Sequence, residues 1–121
     1  MITIKKGNTL NYGIKISKDD AIYTLGENDK MYLTVKKSPD TEALITKSYG
    51  TDDVTYDSKL NAYIFHFTPA DTAEMAKGRY QYDIHIELIT NGIIEYCINT
   101  EISTFVVEPV IGELSAWTSK M

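Results

Sequence analysis

A chain of 121 residues, 43% hydrophobic and 24% charged, has the composition of one globular domain that buries roughly two thirds of the surface its extended form exposes. Seventeen acidic against twelve basic residues give a net charge of -5, and the longest basic runs are Lys5-Lys6 and Lys36-Lys37, which excludes nucleic acid and anionic membrane as expected partners. Cys97 is the single cysteine, so neither an intrachain disulfide nor a thiolate cluster is expected, and no stretch reaches the roughly 20 apolar residues of a membrane span.

In chain order, Ile2-Thr-Ile-Lys-Lys reads as a short strand broken by Gly7-Asn8, and Leu10, Tyr12, Ile14 and Ile16 alternate with polar or small residues as a second. Lys18-Asp19-Asp20 is a polar turn, Ala21 to Leu25 a short third strand, and Gly26-Glu27-Asn28-Asp29 a loop of turn formers. Met31, Leu33 and Val35 set one face of a strand over 30–37, which Ser38-Pro39 closes because proline cannot continue a central ladder. Ala43 to Tyr49 and, more weakly, Val54 to Tyr56 are strand-compatible; Ala62 to Thr68 is a strong strand with Tyr63, Phe65 and Phe67 on one face. Thr68 as N-cap, Pro69 at the first helical position and Asp71 at the third begin a helical turn that Lys77-Gly78 stops.

The clearest signal follows. Tyr80, Tyr82, Ile84, Ile86 and Leu88 alternate with Gln81, Asp83, His85 and Glu87, so only an extended chain gathers the apolar set on one side. Asn91-Gly92 then turns the chain into a run from Ile93 to Val107. Matching apolar faces favours a three-residue loop, Thr90-Asn91-Gly92, over the two-residue turn that the dipeptide suggests. That register sets Leu88 opposite Ile94, Ile86 opposite Tyr96, Ile84 opposite Ile98 and Tyr80 opposite Ile102, with Glu87 facing Glu95. Strands recurring about every ten residues, with no helix long enough for a crossover, predict an antiparallel sandwich or barrel.

Chemistry-bearing motifs are absent. The sequence lacks a Gly-x-Gly-x-x-Gly, a Walker loop, a Gly-x-Ser-x-Gly and a His-Glu-x-x-His. His66 and His85 lie within strands on the polar side, with no Cys or second His at ligand spacing, and read as solvated; Cys97 reads as a half-buried structural thiol. Asp52, Asp53 and Asp57 in one loop, and Glu27 and Asp29 in another, lack the spacing of a calcium loop and read as solvated acids. The expectation is therefore no catalytic residue, no cofactor and no metal. Past Pro109, Val110, Ile111, Leu114, Trp117 and Met121 recur at spacings of three and four, one face of an amphipathic arm. Such a segment reads either as a tail folded back on its own domain or frayed, or as an arm that docks on a neighbouring subunit, with Leu114, Trp117 and Met121 as the candidate partner-binding residues, since tryptophan is a frequent interface anchor.

The stretch from Phe65 to Ile84, with Pro69, Asp71, Thr72, Gly78, Tyr80, Tyr82 and Asp83 in order and the ending Phe105-Val-Val-Glu-Pro109, resembles Ig-like domains of bacteriophage and prophage virion proteins. The N-terminal domain of phage upper baseplate proteins is the nearest comparison. The resemblance covers residues 2–110 in outline and 62–109 closely, and departs from the family in that baseplate proteins continue past this domain. It implies an all-β, antiparallel Ig-like β-sandwich of about seven to nine strands over residues 1–109, with one short helical turn near 69–76 and a C-terminal arm at 110–121. It further implies a non-enzymatic structural subunit of a phage particle, in tail, baseplate or a related assembly. Such a subunit would be made in the bacterial host cytoplasm and reside in the virion, contacting other virion subunits or copies of itself. The alternative expectation is a carbohydrate- or protein-binding β-sandwich module of a bacterial surface or secretion system.

Overall fold

The computed structural model describes residues 1–110; the arm residues Leu114, Trp117 and Met121 lie outside them. The described chain is almost entirely strand. Its elements are β1 (Ile2–Lys5), β2 (Leu10–Ile14), β3 (Ser17–Lys18), β4 (Ala21–Ile22), β5 (Lys30–Lys36), β6 (Ala43–Ser48), β7 (Val54–Asp57) and β8 (Ala62–Phe67). There follow α1 (Pro69–Ala73), β9 (Gly78–Thr90), β10 (Ile93–Asn99) and β11 (Ser103–Glu108). One sheet runs β1-β11-β9-β5-β6, with β10 also on β9; a second runs β2-β8-β7; β3 and β4 form a separate hairpin. The strand segments exceed the expected seven to nine because β3 and β4 are two-residue pieces and the last long run is divided.

All described pairings are antiparallel except β1 with β11, which is parallel and corrects the wholly antiparallel expectation. These two strands stand at opposite ends of the described chain, so no hairpin dictates their direction. The two sheets share one core. Tyr63, Phe65 and Phe67 of β8 face Leu33, Val35, Tyr80, Tyr82, Ile84 and Phe105 of the larger sheet, all buried. Phe67 and Phe105 rings meet at 5.5 Å across the sheets, and Tyr12 meets Tyr82 edge-on at 6.3 Å with their hydroxyls 3.4 Å apart. Burial, then the neighbouring Tyr12 hydroxyl, push the Tyr82 phenol up to about 12.

The helical turn forms where its cap residues place it. The Asp71 carboxylate accepts the Thr68 N–H at 2.7 Å, Pro69 opens the turn, and buried Thr72 accepts the Gly7 N–H through its hydroxyl at 2.9 Å. The hairpin after β9 departs from expectation. Asn91 and Gly92 take positive φ of 53° and 77°, so the two-residue turn forms, pairing Ile93 with Thr90 and Ile94 with Ile89. Glu95 is then extra, and the register slips by one: Tyr96 pairs with Leu88, Cys97 with Glu87, Ile98 with Ile86 and Asn99 with His85. A second slip of one residue falls across 100–102, after which Ser103 pairs with Tyr82 and Phe105 with Tyr80. There Thr100 substitutes for the ladder, its hydroxyl accepting the Ile84 N–H and its own N–H donating to the Ile84 carbonyl, both at 2.9 Å. The expected three-residue loop and its pairs, Leu88 with Ile94, Ile86 with Tyr96, Ile84 with Ile98 and Tyr80 with Ile102, do not form. The apolar set of the return strand switches from even positions (Tyr96, Ile98) to odd ones (Phe105, Val107), and only interruptions keep both sets facing inward.

Two buried charges were not expected. Asp29 is 7% exposed and acts as a hub, accepting the Gly26 N–H at 2.7 Å, the Tyr23 hydroxyl at 3.0 Å and the Ile89 N–H at 2.8 Å. Burial alone would raise its carboxyl; these donors outweigh burial and hold it below its ordinary 3.8. Lys47, 5% exposed, points inward from β6, with its Nζ 2.7 Å from Asp71 and 3.9 Å from Asp53. Asp29 is thus a structural anchor rather than a solvated loop acid, while the Asp53 side chain remains 38% exposed.

Candidate functional site

Two features of the described residues go beyond what the core requires, and both involve β10. The first is its exposed apolar surface. Cross-strand pairing puts Tyr96 and Ile98 on the inward face with Leu88 and Ile86, but β2 ends at Ile14 and the chain leaves into the β3–β4 hairpin, so β10 is incompletely covered. Tyr96 is 43% exposed and Ile93, on the same side, 67%. Where the sheets part, a groove of about 400 Å³ opens between Tyr12, Ile14 and Ile16 on one wall and Ile84, Ile86 and Ile98 on the other. Among the described residues no strand pairs with the outer edge of β10. A free strand edge beside exposed Ile and Tyr side chains is a template for another strand.

The second feature is a polar cluster on the outward face. His85 and Glu87 alternate on β9, and Cys97 and Asn99 stand directly opposite them on β10. His85 donates Nδ1–H to Asn99 Oδ1 at 2.6 Å, and its Nε2 lies 2.7 Å from Glu87 Oε2 and 3.8 Å from Cys97 Sγ. From β5, the Tyr32 ring packs on the imidazole at 4.9 Å. Hydrogen bonding to Glu87, then to Asn99, raises the His85 pKa above its ordinary 6.5 against the opposing effect of burial. The side chains of His85 and Glu87 are only 17% and 16% exposed. His85 is therefore an engaged side chain rather than a solvated one, and Cys97 is exposed rather than half-buried.

His66 has a similar setting on the other sheet. Its Nδ1 lies 2.8 Å from Asn11 Oδ1 on β2 and its Nε2 2.7 Å from Thr55 Oγ1 on β7. No carboxylate or thiol joins it, and that chemical difference separates the two histidines.

Linear spacing missed the His85 cluster because twelve residues separate His85 from Cys97. The available signal was strand parity: 85 and 87 share one face of β9, 97 and 99 share one face of β10, and an even-numbered register joins them. The exposed face of β10 had no comparable signal, since Ile and Tyr alternation reads the same whether or not a second sheet covers it. No helix among the described residues is long and apolar enough to cross a membrane. Comparison with protein-family models gives no match, and comparison with curated proteins gives none either.

Proposed function

We propose that the chain is an Ig-like β-sandwich and a non-enzymatic structural subunit of a phage or prophage particle, assembling through contacts made by β10. The Ig-like reading is supported by strand order: β11-β9-β5-β6 over β2-β8-β7 follows the G-F-C-C′ over B-E-D connectivity of variable-type Ig domains. It is supported again at the start of β9, where the Tyr80 hydroxyl donates to the Ala76 carbonyl at 2.6 Å, the arrangement of a tyrosine corner. Two residues later, Tyr82 meets Tyr12 of β2 between the sheets, where antibody domains carry their inter-sheet disulfide. A tyrosine pair at this position suits a chain with a single cysteine.

The phage reading rests on the resemblance of residues 65–84 and 105–109. The observation that carries the function is the exposed apolar surface of β10, whose outer edge is unpaired among the described residues and suits a strand-to-strand contact with a neighbouring copy. The test is mass spectrometry and antibody-labelled electron microscopy of purified particles from the native host. The chain is expected in the particles at a fixed ratio to the other structural proteins. Its absence from particles, with recovery in a cell-surface fraction, would overturn this reading in favour of a bacterial surface module.

A further inference from the structure

We propose that His85, Glu87 and Cys97 form a binding site for a divalent cation of the zinc class on the outward face of β9 and β10. Three different donors converge there, imidazole nitrogen, carboxylate oxygen and thiol sulfur, all within 4.8 Å of one another. A tetrahedral cation holding nitrogen at about 2.0 Å and sulfur at about 2.3 Å places neighbouring donors roughly 3.3–3.6 Å apart. The 3.8 Å between Cys97 Sγ and His85 Nε2 is already near that spacing. Nε2 and Glu87 Oε2 stand at a hydrogen-bonding 2.7 Å, and the pair would open to admit the cation.

The surroundings suit a ligand set. Asn99 accepts the Nδ1–H of His85 and so leaves Nε2 as the coordinating atom, as outer partners of metal-bound histidines do. Tyr32 stacks behind the imidazole and restricts its rotation. All the donors stand on one two-stranded ladder, with Cys97 paired directly to Glu87. A thiolate, an imidazole and one carboxylate suit a borderline-soft ion, where calcium or magnesium would require oxygens. The exposed side at Cys97 leaves the fourth position to water. Lys30 stands opposite Glu87 on β5, and Asp83 adds negative charge beside His85.

Binding balances through protons. The Cys97 thiol gives up its proton as the sulfur–metal bond forms, and the His85 imidazolium, where charged, gives up the proton on Nε2. Both protons pass to the buffer.

The experiment titrates the full chain with Zn²⁺ alone by calorimetry, in two buffers of different ionisation enthalpy, and with Co²⁺ alone by absorption spectroscopy. The expected result is one ion per chain, net proton release, and a thiolate-to-cobalt charge-transfer band. Cys97→Ser should abolish the band, and Cys97→Ser, His85→Gln and Glu87→Gln should each weaken binding at least roughly tenfold. Asn99→Ala, a change at a positioning residue, should weaken binding by about 10- to 100-fold while keeping the band. His66→Gln should change nothing. Thermal melts of the metal-free variants establish that each is folded, and Cys97→Ser, at an exposed position, is the variant least able to disturb the fold. Absence of saturable binding by either ion, or affinity unchanged in folded Cys97→Ser and His85→Gln, would overturn the proposal.

Discussion

Lys47 allows a charge and its carbon stem to be separated by experiment. The side chain crosses from β6 under the core, 7% exposed, with Phe67 beneath its ammonium at 5.8 Å and Asp71 at 2.7 Å. Lys47→Ala removes three buried methylenes, worth at most about 2.4 kcal/mol at about 0.8 kcal/mol each. It also removes an ion pair with a carboxylate that is 18% exposed and keeps the Thr68 N–H as a donor, a further loss of about 1 kcal/mol. The total is about 3 kcal/mol, which lowers the melting temperature of a domain this size by about 10 °C. Lys47→Met keeps most of the stem and removes the need to desolvate the ammonium, so its effect should stay within about 1 kcal/mol. Urea denaturation of the three proteins measures this, with the midpoint shifting and the slope constant. A Met variant as unstable as the Ala variant would refute the reasoning, because the ion pair, not the stem, would then hold β6 to α1.

Tyr80→Phe leaves the Ala76 carbonyl without its donor and should lower stability by about 1–2 kcal/mol in urea denaturation, while Tyr12→Phe, at a weaker 3.4 Å contact, should have less effect. Asp29 is held below 3.8, so its contribution is complete above that value and is lost as pH falls through its folded pKa. Acid-induced unfolding followed by circular dichroism should be less steep below about pH 4 in Asp29→Asn, a variant that will also be less stable at neutral pH. His85 has the opposite sign. Its raised pKa stabilises the fold fully below 6.5, and the contribution falls away as pH rises through the folded value. Melting temperatures measured in chelator between pH 5 and 9 should show that decline in the native chain and not in Glu87→Gln.

The strands whose side chains alternate without interruption were legible from sequence. Met31, Leu33 and Val35, Tyr63, Phe65 and Phe67, and Tyr80 through Leu88 are all buried on the faces the alternation assigns, because period two is a property of the chain itself. The cap of α1 was legible for the same reason: Thr68, Pro69 and Asp71 act on neighbours within one turn. The path of the return strand was not. Ile93-Ile94-Glu95-Tyr96 carries no single parity, and the slip at Glu95 is chosen by Leu88 and Ile86 across the ladder. Asp29 looked like a solvated acid because one of its partners, Ile89, is 60 positions away, and nothing near Lys47 in the chain signals its partner Asp71, 24 positions on. The His85 cluster survives that error, because the expected and the observed registers are both even and keep residues 85, 87, 97 and 99 on one face; it was missed because each residue was weighed by its spacing along the chain.

The contact through β10 is tested most directly by sedimentation velocity of the full chain over a wide concentration range, beside the double variant Ile93→Lys, Tyr96→Lys. Both positions are exposed, so each change should alter stability by no more than about 0.5 kcal/mol, with melts of the two proteins nearly coincident. The native chain is expected to sediment faster as concentration rises, and the variant to remain a monomer throughout. A native chain that stays monomeric at every concentration, or a variant that associates as the native chain does, would contradict the account.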